Sequence, residues 1–218
     1  MSDFLAFAWQ HLPALLRGLQ YTLLIWVVVV VFGFIFGWLL AVARIYGNPV
    51  MRWLAIGYIE LFRGTPVLVQ LFIVYSGLPN IGIVFTPIVA AMVAFSLNTS
   101  AYQAEYFRGG VGAIRSGQTA AARAAGMTRR QAISYIVLPQ AMRIVLPQWS
   151  NEVILELKYT SIAFAIGVHE LMGEAKLIGA DTFNYFQIFL VAAIVYFVVV
   201  TIFTSVLDGV ERRYALRQ

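Results

Sequence analysis

The sequence predicts an all-α protein that crosses a membrane several times, and three observations support this prediction. Of the 218 residues, 61% are apolar and only 11% are charged. The mean hydropathy is +0.82, which is typical of a membrane protein rather than of a soluble domain. Two stretches of 26 residues, 18–43 and 182–207, contain no charged residue. Each is longer than the roughly 20 residues that a helix needs to cross about 30 Å of hydrocarbon.

Five apolar segments predict five transmembrane spans in a single domain, residues 1–218. The first, third and fifth are free of charged side chains over nearly all of their length. The second is interrupted by charged residues and by Gly64 and Pro66, where a helix must kink or partly unwind. The fourth carries three charged residues. The predicted spans cover about residues 18–43, 50–77, 83–105, 144–166 and 182–207.

The distribution of basic residues predicts the orientation of these spans. Eleven of the fifteen lysines and arginines lie in the segments that follow spans one, three and five. Because basic residues accumulate on the cytoplasmic side, we predict that these segments are cytoplasmic, with the N-terminus outside and the C-terminus inside. The eleven residues are Arg44, Arg52, Arg108, Arg115, Arg123, Arg129, Arg130, Arg143, Arg212, Arg213 and Arg217.

Composition also limits the chemistry that the chain can carry. Cysteine is absent, which excludes disulfides, thiolate metal sites and cysteine nucleophiles. The two histidines, His11 and His169, are far apart in the sequence, and no set of nucleophile, base and oxyanion-stabilising residues is recognisable. The net charge of +5 is better explained by the cytoplasmic ends of membrane helices than by nucleic-acid binding. We therefore predict neither catalytic nor metal-binding residues.

One sizeable soluble segment is predicted, residues 109–143, between spans three and four. Its alanine-rich part predicts a short helix over residues 119–125, with Gly126 as the C-cap. A second helix is predicted to end at Leu138, because the residue before Pro139 is biased away from helical geometry. Such a small element cannot bury its own core, so we expect it to dock onto a partner. The alternative is an ordinary basic loop.

The same segment resembles the EAA loop of ABC importer permeases, whose pattern is E-A-A, three residues, a glycine, nine residues and I-x-L-P. The stretches AAARAAG at residues 120–126 and IVLP at residues 136–139 carry the resemblance. The matching positions are Ala121, Ala122, Gly126, Ile136, Leu138 and Pro139. The position of the motif's glutamate is Ala120. Either a neighbour such as Arg123 pairs differently in this chain, or coupling relies on shape alone.

Three further stretches resemble the subfamily that imports polar amino acids, of the histidine, glutamine and arginine type. They are ELFRGTPVLVQ (60–70), NTSAYQAEYFRGG (98–110) and LPQWSNEVILELKYTSI (146–162). The resemblance covers nearly the whole chain, and it implies the type I ABC importer permease fold in the bacterial cytoplasmic (inner) membrane. It also implies the function of a permease subunit in an ATP-driven importer of polar amino acids.

The resemblance implies three protein partners within a lipid membrane, and no nucleic acid. In that family the loop fits a cleft on an ATPase subunit, so that a dimer of ATPases drives alternating access. A second permease chain, identical or related, and an extracytoplasmic amino-acid-binding protein complete the assembly. No G-x-x-x-x-G-K-[ST] sequence occurs, so ATP and Mg²⁺ are expected on the ATPase. This chain is expected to bind no cofactor and to be a transport subunit rather than an enzyme.

Ionisable residues at membrane depth are costly, and each is a candidate for function. Glu60 and Arg63 are one helical turn apart, so they could neutralise each other or line the translocation path. The rival interpretation of the chain is an ion- or proton-coupled secondary transporter or a channel. In that case Glu60, Glu105, Glu152 and Glu156 would carry the protons or cations.

The fourth span supplies the main candidates for substrate binding. The K-D-T-S segment of the resembling family reads KYTS at residues 158–161, so Tyr159 stands where the family has an aspartate. Glu156 could supply a carboxylate on nearly the same face, with the tyrosine ring beside it for a cationic group; alternatively, Glu156 pairs with Lys158. Asn98 could bind an amino acid's charged α-groups or join helices. The predicted substrate contacts are Asn98, Glu156, Tyr159, Thr160 and Ser161, and the predicted pathway or structural residues are Glu60, Arg63 and Lys158.

Overall fold

The computed structural model describes residues 2–114 and 116–214, so Arg115 and Arg217 of the basic set lie outside the described residues. Within these ranges the chain forms helices and no strand. The α-helices are α1 (Ser2–Tyr46), α2 (Pro49–Arg63), α3 (Val67–Phe72), α4 (Pro87–Gly112), α5 (Ser116–Ala124), α6 (Arg129–Gln131), α7 (Leu138–Tyr159), α8 (Leu171–Thr182) and α9 (Tyr185–Tyr214). The tighter or wider helical turns are Ile73–Gly77 and Ala132–Val137, which are π-helical, and Leu78–Ile81 and Thr160–Ile166, which are 3₁₀-helical.

Two of the described helices are long and apolar enough to cross a membrane, namely Asp3–Tyr46 within α1 and Tyr185–Tyr214, which is α9. A third candidate is the bent pair formed by Pro49–Arg63 and Val67–Ile81, whose axes meet at 103°. The chain is therefore an all-α protein with membrane-spanning helices. The number of five crossings and the orientation of the termini stay predictions.

The break between α2 and α3 lies where Gly64 and Pro66 predict an interruption of the second span. The side chain of Gln70, in the first turn of α3, reaches back into the break. Its amide nitrogen donates to the carbonyl of Phe62 at 2.8 Å and to the carbonyl of Thr65 at 3.0 Å. Carbonyls released from a helix at membrane depth need such partners. The buried Gln70 therefore stabilises the bend that shapes the neighbouring cavity.

Helices α1 and α4 pack closely through two glycines of α1, Gly33 and Gly37. A Cβ on Gly33 would lie 2.2 Å from the Thr99 methyl carbon, and one on Gly37 would lie 2.8 Å from the Gln103 Cβ. Small residues four apart allow helix backbones in a membrane to approach this closely. The contact fixes which face of α4 meets α1. The face of α4 that carries Asn98 is thereby left toward α2 and α7.

Glu170 is fully buried. It is the N-cap of α8 and accepts hydrogen bonds from the backbone nitrogens of Met172 and Gly173. Its carboxylate also accepts from the Thr22 hydroxyl of α1 at 3.3 Å and the Tyr196 hydroxyl of α9 at 3.0 Å. Four donors compensate the lost hydration of the carboxylate, and they join α1, α8 and α9.

The predicted loop is a small helical unit, and its C-cap is confirmed. Gly126 has a φ of +85°, its nitrogen donates to the Arg123 carbonyl, and the Met127 nitrogen donates to the Ala122 carbonyl. This pair of bonds is a Schellman motif. Helix α5 ends at Ala124, one residue before the predicted end.

The predicted end of the second helix at Leu138 is wrong, because α7 begins there and continues through Pro139. The preceding Ala132–Val137 segment is π-helical, and the Leu138 nitrogen donates to the Ile133 carbonyl, five residues back. This wider turn gives the proline ring room and shifts the hydrogen-bond register. A proline that normally stops a helix is thereby accommodated near the start of one. The end of the molecule that carries α5, α6 and the Ala132–Val137 segment is called the loop end below.

Candidate functional site

A cavity of about 580 Å³ lies where the α2–α3 break, α4 and α7 meet; we call it the α4–α7 cavity. Each wall comes from a different part of the sequence. The break contributes residues 63–67, while α4 and α7 contribute side chains spaced at helical intervals. Its polar lining consists of Arg63, Thr65, Asn98, Tyr102, Tyr106, Glu152 and Tyr159.

Of the described residues that line this cavity, two are charged, and their charges are opposite. Glu152 is 6% exposed, and the Tyr106 hydroxyl donates to its Oε2 at 2.8 Å. Arg63 is more open, and its guanidinium carbon lies 5.5 Å from the centre of the Tyr102 ring. The aromatic ring holds the guanidinium by a cation–π interaction. The cavity therefore presents the Glu152 carboxylate, positioned by Tyr106, and the Arg63 guanidinium, positioned by Tyr102.

The predicted contact Asn98 lines the cavity, but its amide nitrogen is used by the fold. It donates to the Phe62 carbonyl at 3.2 Å and to the Gln70 Oε1 at 3.0 Å. Both partners belong to the α2–α3 break. Asn98 thus joins helices, which is one of the two roles that its residue type allows, and it shapes the wall from within.

The other predicted contacts fall on two different faces of α7. Tyr159 is 43% exposed and lies at the cavity. Glu156 and Thr160 are buried, with 3% and 0% exposure, and do not line the cavity. Positions 152, 155 and 159 share the cavity face, whereas Glu156 lies close to Thr99 on α4.

Ser161 and Lys158 lie on a third side, in a cleft against α9 that is also lined by Tyr196 and Phe197. The Ser161 hydroxyl donates to the Lys158 carbonyl at 2.7 Å. The pairing of Glu156 with Lys158 that the sequence leaves open is not found among the described residues. Ser161 is therefore not brought together with Tyr159, although the two are only two residues apart.

Sequence reasoning missed Tyr102, Tyr106 and Glu152 as lining residues. The first two continue the stripe of Asn98 at intervals of four, which was a usable signal. Glu152 was visible as a charged residue of the fourth span. The sequence alone does not say whether the 152–155–159 stripe or the 152–156–159 stripe faces the cavity.

Arg63 does not pair with Glu60 in the part of the chain that the structure describes. Its nearest carboxylate oxygen is Oε2 of Glu105, 3.8 Å from Nη1, and Glu60 is exposed. Glu105 also binds Arg44 and Arg108. We call Arg44, Arg63, Glu105 and Arg108 the Glu105 cluster, and it lies toward the loop end of α4, about 10 Å from Asn98 at 1.5 Å per residue.

Arg108 binds Glu105 through hydrogen bonds from two of its nitrogens. Its Nε and Nη2 donate to Glu105 Oε2 at 3.0 and 2.9 Å. The hydrogen bond with Glu105 raises the pKa of Arg108 above its ordinary value, so this group stays cationic. Charge-assisted pairs of this kind are among the stronger hydrogen bonds in proteins.

The loop end presents the residues that match the EAA pattern in two layers. Ala122 is 7% exposed and belongs to the inner side of α5, while Ala120, Ala121 and Arg123 are exposed. Ile136 and Leu138 are half-buried, and Pro139 is exposed. Helix α5 packs on the π-helical Ala132–Val137 segment, and its outer face, with Ala120, Ala121 and Arg123, is accessible.

The chain matches the family model "Binding-protein-dependent transport system inner membrane component" over residues 33–216. The chain belongs to this family. The permease is 39% identical over 204 residues to the arginine transport system permease protein ArtQ of Bacillus subtilis (strain 168), with 93% of each chain covered. It is 38% identical over 216 residues to the L-cystine transport system permease protein TcyL of the same organism, with 96% of this chain and 90% of TcyL covered.

A solved structure agrees with these relatives. In the "Crystal structure of an amino acid ABC transporter with histidines", one chain is 36% identical to the permease and superimposes with a TM-score of 0.91. The match covers 97% of the permease and 98% of that chain. The permease is therefore a membrane component of an ABC amino-acid importer, and its fold is that of the type I importer permeases. The rival interpretation as an ion-coupled carrier or channel finds no support in this membership.

Proposed function

We propose that the permease binds a polar amino acid in the α4–α7 cavity and passes it across the membrane when partner ATPases hydrolyse ATP. The observation that carries this proposal is the pair of opposite charges, Arg63 and Glu152, in one cavity. A free amino acid is a zwitterion, so it needs an anion-binding and a cation-binding group within one small volume. Both are present, and both are oriented by tyrosines.

The α-carboxylate of the amino acid would bind Arg63, because a guanidinium matches a carboxylate with two parallel donors. The α-ammonium would bind Glu152, whose position is fixed by the Tyr106 hydroxyl. These pairs offset the cost of removing the two charges from water. The side chain of the amino acid would then extend toward Leu155 and Tyr159 at the edge of the cavity.

Tyr159 bears on which side chain is accepted. It offers a ring face and a hydroxyl where the resembling family has an aspartate, so it supplies no fixed negative charge for a basic side chain. The ring still suits a cation or a polar group. We therefore propose a polar amino acid as substrate, with selectivity set by an aromatic contact rather than by a second carboxylate.

The energy for transport would come from other chains. The exposed face of α5 at the loop end would dock in a cleft of an ATPase subunit that binds ATP and Mg²⁺, and two such subunits would serve two permease chains. The α4–α7 cavity has an open side, which a second permease chain, identical or related, would help to close. A soluble amino-acid-binding protein would deliver the substrate at the opposite end, with the N-terminus outside and the loop in the cytoplasm.

The first experiment is to purify the permease through a tag in mild detergent and to identify the co-purifying chains by mass spectrometry. We expect about one ATPase chain per permease chain. A folded permease without any ATPase, together with uptake that follows the proton gradient, would contradict the proposal.

The second experiment locates the substrate site with the same complex. Its thermal unfolding is measured with each of the common L-amino acids and with L-cystine. We expect one or a few polar amino acids to raise the unfolding temperature, and Glu152→Gln to abolish this rise. Glu60→Gln is the matched control, because Glu60 is exposed and outside the cavity. No stabilisation by any amino acid, or equal loss in both variants, would overturn the site.

A further inference from the structure

Arg63 is part of both the α4–α7 cavity and the Glu105 cluster. It lines the α4–α7 cavity, and its Nη1 lies 3.8 Å from Oε2 of Glu105 in the Glu105 cluster. Its side chain is 38% exposed, so the guanidinium is accessible from the cavity. The Tyr102 ring, 5.5 Å from the guanidinium carbon, lies between the two arrangements on α4.

The contact of Arg63 with Glu105 is the weakest in the cluster. Glu105 already accepts two hydrogen bonds on Oε2 from Arg108, at 3.0 and 2.9 Å, and another on Oε1 from Arg44. At 3.8 Å the Arg63 contact is too long for a hydrogen bond. One carboxylate thus faces three guanidinium groups, and Arg63 is the one whose charge is least compensated.

We propose that Arg63 exchanges carboxylates: it rests near Glu105 when the cavity is empty and binds the α-carboxylate of an amino acid when the cavity is filled. The inference rests on the proposed function, since it assumes an amino acid in the cavity. It adds that Glu105 is a positioning residue that competes with the substrate for Arg63. It also restricts the substrate to compounds with a free carboxylate.

The exchange would couple substrate binding in the cavity to the loop end through the Glu105 cluster. The Glu105 cluster joins the last turn of α1 through Arg44, the end of α2 through Arg63 and the end of α4 through Arg108. Helix α4 ends at Gly112, directly before the loop. When Arg63 turns to the substrate, its contact with Glu105 is lost near the end of α4, while the Tyr58 and Asn98 hydrogen bonds still join α2 and α4. Substrate binding and cluster geometry are then thermodynamically linked, and the linkage works in both directions.

The test uses the purified complex and the amino acid that stabilises it most in the panel above, together with the α-carboxamide of that amino acid. Affinity is measured by isothermal titration calorimetry. Arg63→Gln should weaken binding of the amino acid about tenfold or more, since a charged hydrogen-bonded pair is lost. The carboxamide lacks the carboxylate, so we expect it to bind more weakly to the unchanged chain and Arg63→Gln to change its affinity little. Arg52→Gln, an exposed arginine on the same helix, is the control and should bind like the unchanged chain.

Two variants of the cluster test the competition with opposite signs. Glu105→Gln removes the competing charge and should tighten binding, by about fivefold on the usual scale of such couplings. Arg108→Gln frees Oε2 of Glu105 for Arg63 and should weaken binding by a similar factor. Arg108 is exposed, so Arg108→Gln should fold and can test the competition even if Glu105→Gln does not fold.

The possible failures are distinguishable. If the unchanged complex binds no amino acid, the proposed function fails and the inference falls with it. If it binds one but Arg63→Gln binds equally well, Arg63 is not the carboxylate site: the inference and the role given to Arg63 in the cavity are overturned, while amino-acid transport by the permease stands. If Arg63→Gln weakens binding while the cluster variants change it in the same direction or not at all, Arg63 is a simple contact and the exchange is wrong.

Discussion

The α4–α7 cavity and the loop end are held together by different kinds of contact. The cavity depends on contacts between distant parts of the chain, such as the Tyr106–Glu152 hydrogen bond across 46 residues. The loop depends on local contacts, such as those that close its Schellman motif and the Thr128–Gln131 capping box. The loop end therefore keeps its shape through contacts of its own, whereas the shape of the cavity depends on how the helices pack. Substitutions should therefore separate substrate binding from coupling.

The largest effect is expected from the helix contact that positions the whole cavity wall. Gly33→Ala places a Cβ within 2.2 Å of the Thr99 methyl carbon and must push α1 away from α4. Overpacking of this kind typically costs about 1–3 kcal/mol, and it should also weaken amino-acid binding. The measurement is thermal unfolding and binding in the purified complex.

Gly57→Ala is the matched control for this substitution, because a Cβ at Gly57 meets nothing within 4 Å. It should leave both properties intact. A Gly33→Ala variant as stable as Gly57→Ala would show that the close α1–α4 contact does not hold the cavity wall.

The next effect concerns the loop alone. Gly126 has a φ of +85°, where a β-branched side chain is strained by about 1–2 kcal/mol. Gly126→Val should therefore distort the turn and uncouple ATP hydrolysis from transport, while amino-acid affinity stays unchanged. Reconstituted vesicles report both quantities. Gly126→Asn, which tolerates the same backbone geometry, should retain coupling, and a loss of affinity in Gly126→Val would contradict the separation of the two regions.

A smaller effect is expected at the cavity, where a substitution should change amino-acid affinity and not coupling. Tyr106→Phe removes the hydroxyl that donates to Glu152 at 2.8 Å, which leaves the carboxylate less well oriented. Amino-acid affinity should fall severalfold, on the scale of about 1 kcal/mol for one lost hydrogen bond, and ATPase activity without amino acid should stay the same. Tyr135→Phe, which changes an exposed tyrosine of the loop end outside the cavity, serves as the control. Equal affinities in the two variants would show that the hydroxyl does not orient Glu152.

The same contrast explains which features could be predicted from the sequence. The C-cap at Gly126 and the break at Gly64 and Pro66 follow from local backbone preferences, so a single stretch of sequence reveals them. Pro139 misled the prediction because a π-helical turn, which depends on the surrounding packing, accommodates it.

The cavity face of α7 could not be predicted in this way. The helix is oriented by distant contacts, including the Trp26 indole donating to the Val153 carbonyl at 2.7 Å across 127 residues. Those contacts turn Glu152 toward the cavity and Glu156 away from it. Spacing alone places both carboxylates on one side of the helix, and only the neighbours of α7 distinguish between them.

The smallest effect is expected where the chain departs from the EAA pattern. Ala120 is exposed on the outer side of α5, so Ala120→Glu adds a solvated carboxylate without displacing a packed group, and surface changes usually alter stability by less than about 0.5 kcal/mol. Membrane expression and thermal unfolding should match those of Ala121→Ser, another exposed change in the same helix. If coupling in this permease relies on shape alone, the rate of ATP-driven uptake should also stay the same. A higher uptake rate with unchanged stability would show instead that the ATPase cleft still contains a partner for the carboxylate that this chain lacks.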